Sequence, residues 1–294
     1  MFRGSIVAMA TPFKNGEIDE HSVRRLVAFH AEKGTDGILV AGCTGEAATL
    51  SVSEMATLIR LAREEISRSG RTIPLIAGTG TNSTASTIER TRVAADLGVD
   101  GVLLITPYYN KPTPAGQIAH FTTVADAVPI PVILYNVPSR TGTNMLPETV
   151  AELARHPGIV ALKEAGGNLD QVTRLHLISD ITILSGDDSL TLPMLSIGAE
   201  GVISVTANID PARVSGMCAA WHRGDWAHAR QLHAEMFDLT RTLFVETNPM
   251  PVKAALEMLA LMSGELRLPL VPVKPESRIR IREAMINAGL IEGR

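Results

Sequence analysis

The chain has 294 residues, of which 45% are hydrophobic and 20% charged, and its formal net charge is -4 at pH 7. This composition is typical of a globular protein with one large α/β domain and a small appendage. Because the basic residues are scattered and are not interleaved with aromatic ones, we expect no nucleic-acid surface and small molecules as partners.

The cysteines and the apolar segments indicate the cellular compartment of the protein. Cys43 and Cys218 form neither a metal-binding spacing nor a disulfide framework, so we expect a cytoplasmic protein. The amino-terminal run 6–10 is too short for a signal sequence, and no stretch approaches the length of a membrane span. We therefore expect no targeting segment and no contact with a membrane.

Eight short apolar runs alternate with stretches in which apolar residues recur at helical spacing. Continuous hydrophobicity within the runs indicates strands buried on both faces, as in a parallel sheet. Units of roughly 25 to 35 residues fit a (β/α)8 TIM barrel, and a doubly wound open sheet is the alternative. The predicted strands are 6–10, 37–41, 73–77, 102–105, 132–135, 159–163, 181–184 and 202–205.

The strand pattern stops after Val205, and the remaining residues have helical spacing. We predict a barrel with the active site over residues 1–224 and a C-terminal helical extension over residues 225–294, with no clear linker between them. The basic tail near residues 274–282 is expected to be a solvated helix face.

Polar side chains follow the predicted strands at the ends where barrel enzymes carry their function. Lys163 closes an apolar run, and an amine in such surroundings is harder to protonate and more available as a nucleophile towards a carbonyl carbon. Tyr135 closes the preceding strand and could move protons beside an imine. A strand-end lysine alone is usually a solvated surface group, but the pair predicts Schiff-base chemistry.

Three further segments have two interpretations each. The segment 42–46 is either a tight turn in which Thr44 caps the next helix or a nest of N–H groups for a carboxylate. Arg140 is either simply exposed or a bidentate carboxylate ligand. The adjacent Asp187 and Asp188 most resemble a helix cap, and as metal ligands they would lack companions, so we expect no metal.

Several motifs, in order along essentially the whole chain, resemble those of the pyruvate-dependent class I aldolases, and within them the dihydrodipicolinate synthase family. The motifs are Gly4-Ser5-Ile6-Val7-Ala8, Gly42-x-Thr44-Gly45-Glu46, Thr106-Pro107-Tyr108-Tyr109-Asn110, Tyr135-Asn136-Val137-Pro138-Ser139-Arg140-Thr141-Gly142, Lys163-Glu164-Ala165, Gly186-Asp187-Asp188, Gly201-Val202-Ile203-Ser204-Val205 and Asn248-Pro249-x-Pro251-Val252-Lys253. The resemblance implies catalysis without a cofactor and a homotetramer assembled as a dimer of dimers.

The resemblance also implies a reaction in lysine and diaminopimelate biosynthesis. Lys163 would form an imine with pyruvate, and the derived enamine would add to L-aspartate semialdehyde to give 4-hydroxy-tetrahydrodipicolinate. Tyr135 would exchange protons, and Tyr109 would reach in from a neighbouring subunit as a relay. Thr44 and the backbone near Ile203 would bind pyruvate.

By the same resemblance, Arg140 would hold the semialdehyde carboxylate. Gly186 and Asn248 lie in family motifs, and we expect both to bind substrate. One departure concerns the relay, because the family usually has Gly-Thr-Thr-Gly-Glu where this chain has Cys43 as the second residue. A thiol is a weaker hydrogen-bonding group than a hydroxyl, so we expect reduced turnover or a water-bridged relay.

A second departure concerns feedback inhibition. Lysine-sensitive relatives have polar groups where this chain has Ala47, Val52 and Met55, and an acidic residue where it has Ser86. An ammonium ligand would lack charged partners, so we expect weak or absent inhibition by lysine.

Two other functions stay open at this point. One is a sister aldolase that acts on a sugar-derived aldehyde, of the N-acetylneuraminate or 2-keto-3-deoxygluconate type. The other is a non-catalytic barrel that binds small carboxylates, since a fold alone does not determine function.

Overall fold

The computed structural model describes residues 2–293, and at its centre is a closed barrel of eight parallel strands. In chain order the strands are β1 (Gly4–Ala8), β2 (Phe13–Lys14), β3 (Glu17–Ile18), β4 (Gly37–Val40), β5 (Leu75–Gly78), β6 (Gly101–Ile105), β7 (Val132–Asn136), β8 (Ile159–Glu164), β9 (Thr182–Ser185) and β10 (Gly201–Ser204). β2 and β3 form a separate antiparallel hairpin, and β1 closes the barrel against β10. The predicted TIM barrel is confirmed, and the open-sheet alternative is wrong.

Helices form the outer layer of the barrel and the carboxyl-terminal part of the chain. They are α1 (Glu20–Glu32), α2 (Val52–Arg68), α3 (Thr84–Asp96), α4 (Pro114–Ala127), α5 (Pro138–Thr141), α6 (Pro147–Leu153), α7 (Leu169–Ile178), α8 (Thr191–Ser196), α9 (Pro211–His222), α10 (Trp226–Thr242), α11 (Met250–Met258) and α12 (Pro275–Asn287). Local sequence sets their starts: Ser51 begins α2 in a reciprocal capping box with Glu54. No helix within residues 2–293 is both long enough and apolar enough to cross a membrane.

Successive residues of each barrel strand belong to two different apolar clusters, which explains why the strands are continuously hydrophobic. In β7, Ile133 and Tyr135 pack inside the barrel, whereas Leu134 packs beneath the helices. The register of β8 places Lys163 beside Tyr135. Both side chains therefore enter the barrel at its carboxyl end.

The limits of all eight predicted barrel strands shift by one or two residues, most notably in β1, β5 and β8. β1 begins and ends two residues earlier than expected, and the N–H of Ala10 donates to Oδ1 of Asn208 at 3.0 Å instead of to a neighbouring strand. β5 begins only at Leu75, because Pro74 has no N–H for the ladder. β8 continues to Glu164, so Lys163 is its penultimate residue and not its last.

The helical extension consists of α10, α11 and α12. α10 packs chiefly on α9, and α11 packs on α12. The predicted division between residues 224 and 225 falls in the turn between α9 and α10, and it stays a prediction. The basic tail lies on α12, where Ile281 and Met285 are buried.

The buried His30 of α1 makes the stability of the fold depend on pH. Its Nδ1 lies 3.1 Å from Oγ1 of Thr35, and burial lowers the pKa of the imidazole from 6.5 to about 3. Because the unfolded chain takes up this proton near pH 6.5, stability is lost as the pH falls from about 6.5 towards 3. We expect urea denaturation to show a loss of up to about 1.4 kcal/mol per pH unit from this group.

Two substitutions isolate that contribution. His30→Leu should flatten the pH dependence of the unfolding free energy. His228→Gln, on the exposed surface of α10, should leave it unchanged. An equal pH slope in His30→Leu and the parent protein would contradict the assignment.

Candidate active site

A cavity of about 300 Å³ lies at the carboxyl ends of the barrel strands. Lys163 lines it and is only 5% exposed, with its Nζ 4.4 Å from the centroid of the Tyr135 ring. Other lining residues are Cys43, Thr44, Val137, Ser139, Arg140, Ala165, Gly186, Asp187, Ser189, Val205, Thr240, Arg241, Phe244 and Asn248. The cavity thus brings together residues from both ends of the sequence.

The environment of Lys163 favours a neutral amine. Burial lowers the pKa of its ammonium to about 8, and the positive charge of Arg140 acts in the same direction. The carboxylate of Asp188 opposes this shift. At pH 7 about a tenth of the amine is then unprotonated, far more than for a solvated lysine. A nucleophilic nitrogen is therefore available at neutral pH.

Tyr135 lies beside this amine and hydrogen-bonds to Cys43. The tyrosine is 5% exposed, and burial raises the pKa of its hydroxyl well above 10. The neighbouring Cys43 raises this pKa further. Cys43 and Tyr135 line the same cavity, and the role of Cys43 in a proton relay stays a prediction. At neutral pH the Tyr135 hydroxyl is protonated and can donate its proton. After that donation, the tyrosine must take up a proton again before the next turnover.

Thr44, Asn248 and Arg140 form a connected polar edge of the cavity. The side-chain amide of Asn248 donates to Oγ1 of Thr44 at 3.0 Å, and its backbone oxygen accepts from the guanidinium of Arg140 at 2.9 Å. Residues 43–46 form the predicted tight turn, but Thr44 is buried and does not cap a helix, so the capping role is wrong. A hydroxyl, an amide and a guanidinium at one edge can bind carboxylates.

The loop after β9 passes close to Lys163. A side chain at Gly186 would come within 3.0 Å of Cε of Lys163, so glycine is required here by the packing. The carboxylate of Asp188 is buried and accepts from the N–H groups of Val205 and Thr206 at 2.8 and 3.3 Å. Asp187 caps the short 3-10 helix that follows, as predicted.

Two predicted site residues lie outside this cavity wall. Ile203 is fully buried inside the barrel in the same cluster as Tyr135, so it could reach substrate only through its main chain. Tyr109 is 89% exposed, with φ at 71°, and does not approach the cavity of its own chain. A catalytic role for Tyr109 therefore requires a second copy of the chain.

The sequence did not point to the residues that α10 contributes. Thr240, Arg241 and Phe244 line the cavity from α10 and the turn after it. They lie in an ordinary helical pattern with no motif, so no local signal marks them. Among residues 2–293, no group of three or more His, Cys, Asp or Glu side chains could hold a metal ion.

Comparison with known proteins identifies the family. The sequence profile described as the dihydrodipicolinate synthetase family matches residues 1–288. The chain belongs to this family. A 4-hydroxy-tetrahydrodipicolinate synthase of Pelobacter propionicus is 50% identical over 293 residues, which are 99% of this chain and 100% of that protein.

Solved structures of the family agree in fold. The dihydrodipicolinate synthase of Aquifex aeolicus superposes with a TM-score of 0.95 and 44% identity, over 98% of this chain and 99% of that one. The enzyme of Cyanidioschyzon merolae, solved with lysine bound, also has a TM-score of 0.95 and 44% identity, over 99% of both chains. These two proteins therefore share the whole of this fold, including the helical extension.

Proposed function

We propose that this protein is a Schiff-base-forming lyase that condenses pyruvate with L-aspartate semialdehyde to 4-hydroxy-tetrahydrodipicolinate. The observation that carries this proposal is the buried amine of Lys163 beside Tyr135, in a cavity with a guanidinium at its edge. Family membership along the whole chain supports it. The relatives described above carry the synthase name, and none is named as a sister aldolase.

The proposed chemistry begins with the neutral amine of Lys163. Its Nζ attacks the ketone carbon of pyruvate, and the ketone oxygen leaves as water to give an imine. Tyr135, which has passed its proton to the departing water, then takes up a methyl proton, which gives an enamine. The enamine carbon bonds to the aldehyde carbon of the semialdehyde, whose oxygen takes up a proton. The amino group of the semialdehyde then displaces Lys163 and closes the ring, so that one water is released overall.

We assign the substrate contacts by geometry. Thr44 and Asn248 would bind the carboxylate of pyruvate, since their hydrogen-bonded pair lies at the edge of the cavity. Arg140 would bind the carboxylate of the semialdehyde. Gly186 leaves room for the amine to move. The reaction as written needs no cofactor.

A panel of acceptor aldehydes tests the proposal. Purified protein is supplied with pyruvate and either aspartate semialdehyde, N-acetylmannosamine or glyceraldehyde, and pyruvate consumption is measured. Consumption with the semialdehyde alone is the expected result. Preference for a sugar aldehyde would move the protein to a sister aldolase, and failure of borohydride to trap pyruvate on Lys163 would favour a non-catalytic barrel.

Cys43 provides a test of the proton relay. We expect Cys43→Thr to raise kcat by about 3- to 10-fold, because a hydroxyl donates and accepts hydrogen bonds better than a thiol. Steady-state rates with both substrates saturating measure the effect. Cys218→Ala, a change in the buried cysteine of α9, should leave kcat unchanged. An unaltered rate in Cys43→Thr would show that the thiol does not impair the relay.

We also propose that the chain works as a homotetramer in the cytoplasm. Tyr109 is exposed and lies away from the cavity of its own chain, so its proposed catalytic role requires assembly. Cys43 and Cys218 are free thiols, which suits a reducing compartment. Sedimentation at catalytic concentrations tests the assembly, and a fully active monomer would contradict the role of Tyr109.

Inhibition by lysine is expected to be weak or absent. Ala47 lines a second cavity of about 370 Å³ that borders the active site, together with Tyr108 and Arg90. The carboxylate in its wall, Glu46, already pairs with Lys253 at 2.6 Å. An ammonium group would thus find a cation and no free carboxylate. Half-inhibition at submillimolar lysine in a steady-state assay would contradict this prediction.

A further inference from the structure

Lys253 of α11 and Glu46, in the loop after β4, form an ion pair wholly inside the protein. Their side chains are 0% and 1% exposed, and Nζ lies 2.6 Å from Oε1. The same Nζ donates to the carbonyl oxygen of Thr11 at 2.9 Å and lies 4.5 Å from the centroid of the Phe13 ring. The other carboxylate oxygen of Glu46 accepts the N–H of Arg267 at 3.1 Å. The polar atoms of the pair are therefore well satisfied.

A pair of this kind has little net value for stability. Desolvation of two ions offsets much of their attraction, and apolar residues of similar volume often serve a core as well. Neither residue lines the active-site cavity, although Glu46 lies in the wall of the second cavity that borders it. We therefore ask which segments of the chain the ion pair connects.

The pair joins the same two segments that meet at the edge of the active site. Asn248 and Lys253 flank the start of α11, and Thr44 and Glu46 lie two residues apart in the loop after β4. Asn248 donates to Thr44 at 3.0 Å. Behind this contact, Lys253 binds Glu46. Two parallel ties therefore connect α11 to the loop, one at the cavity and one in the core.

The loop itself needs such support, because its backbone is unfavourable. Glu46 has φ of 56° and ψ of 39°, a left-handed conformation that side chains other than glycine seldom adopt. The turn is held further by Thr11, whose hydroxyl donates to the carbonyl oxygen of Gly45 at 2.7 Å. The buried ammonium group thus stabilises a strained turn two residues from Thr44.

We propose that the Lys253–Glu46 pair is a positioning device, through which the helical extension holds Thr44 and Asn248 in the geometry that binds pyruvate. Glu46 and Lys253 are positioning residues that act through Thr44. The effect on pyruvate rests on the proposed function, whereas the effect on the loop does not. The proposal can therefore be tested by one measurement that depends on catalysis, the KM for pyruvate, and by one that does not, hydrogen exchange of the loop.

Glu46→Gln is the main test, with Glu257→Gln as its matched control. Glu257 is also on α11, and its ion pair with Arg278 lies at the surface, with side chains 43% and 47% exposed. We expect Glu46→Gln to raise KM for pyruvate about tenfold with kcat changed by less than about threefold, as for loss of binding without loss of chemistry. Glu257→Gln should change neither constant.

Hydrogen exchange of the loop gives the second readout. The N–H groups of Glu46 and Ala47 donate to Cys43 and Gly42 at 3.1 and 3.2 Å. Their exchange should become about tenfold faster in Glu46→Gln and stay unchanged in Glu257→Gln. If Glu46→Gln does not fold, the double variant Glu46→Gln with Lys253→Met removes the pair without leaving a buried charge unpaired, and both shifts should have the same direction.

Different results would contradict the positioning role of the pair and the proposed function of the protein. Unchanged loop exchange and a KM for pyruvate within about twofold of the parent value, in whichever of Glu46→Gln and the double variant is folded, would overturn the positioning role. A parent protein that forms no imine with pyruvate would overturn the proposed function instead. In that case loop exchange alone decides whether the pair supports the turn.

Discussion

Replacing Lys163 with methionine is expected to lower the rate of pyruvate consumption by at least about 10³-fold, because covalent catalysis loses its nucleophile. Methionine fills nearly the volume of the lysine stem, so the barrel interior stays packed. The variant should resist urea at least as well as the parent protein, since a desolvated amine is replaced by an apolar group. Activity and stability should therefore change independently.

The measurement combines kinetics with borohydride trapping and intact-mass analysis. Lys33→Met, a change of a lysine that is 44% exposed just after α1, serves as the control and should retain full activity. In the parent protein, imine formation should accelerate as the pH rises towards about 8, the pKa of Lys163, and then level off. Trapping of pyruvate on Lys163→Met would show that another amine forms the imine.

Replacing Tyr135 with phenylalanine is expected to lower kcat by about 10²- to 10⁴-fold, the usual range for loss of a general acid or base. The ring that lies 4.4 Å from the amine of Lys163 is preserved, so pyruvate should still form an imine. The loss should appear in the proton transfers. Because burial raises the pKa of the hydroxyl, the missing group is a protonated phenol.

Exchange of the pyruvate methyl hydrogens in deuterated water isolates this step. In the absence of semialdehyde, the parent protein should exchange them through the enamine, and Tyr135→Phe should do so far more slowly. Tyr108→Phe is the matched control and should exchange at the parent rate. Borohydride trapping slowed as much as the exchange in Tyr135→Phe would assign the tyrosine to imine formation instead.

The strands and the two central residues of the candidate site could be predicted because the sequence signals that mark them are local. Barrel strands are buried on both faces, so each appears as an apolar run, and the polar residue that follows marks its carboxyl end. Lys163 and Tyr135 were found in this way. β8 ends one residue later than predicted, at Glu164. The buried carboxylate of Glu164 accepts hydrogen bonds from the side-chain amide of Asn136 on the neighbouring strand, so this charged residue still belongs to the sheet.

The missed parts of the site depend on contacts between distant residues. Phe244 and Arg241 reach the cavity from a helix whose sequence has no motif, and only the packing of the extension brings them there. The pair of Glu46 and Lys253 joins residues that are 207 positions apart. Periodicity and spacing act over a few turns or strands, so they carry no information on such a contact.

The alternation of β8 limits how this protein can diverge. Lys163 enters the barrel while Glu164 bonds Asn136 on the opposite face of the sheet. Loss or gain of one residue within the strand would bring a carboxylate into the cavity and turn the amine towards the helices. Proteins that descend from this one and keep its activity can therefore change β8 by substitution only. Insertions and deletions will accumulate instead in the surface loops that connect strands and helices.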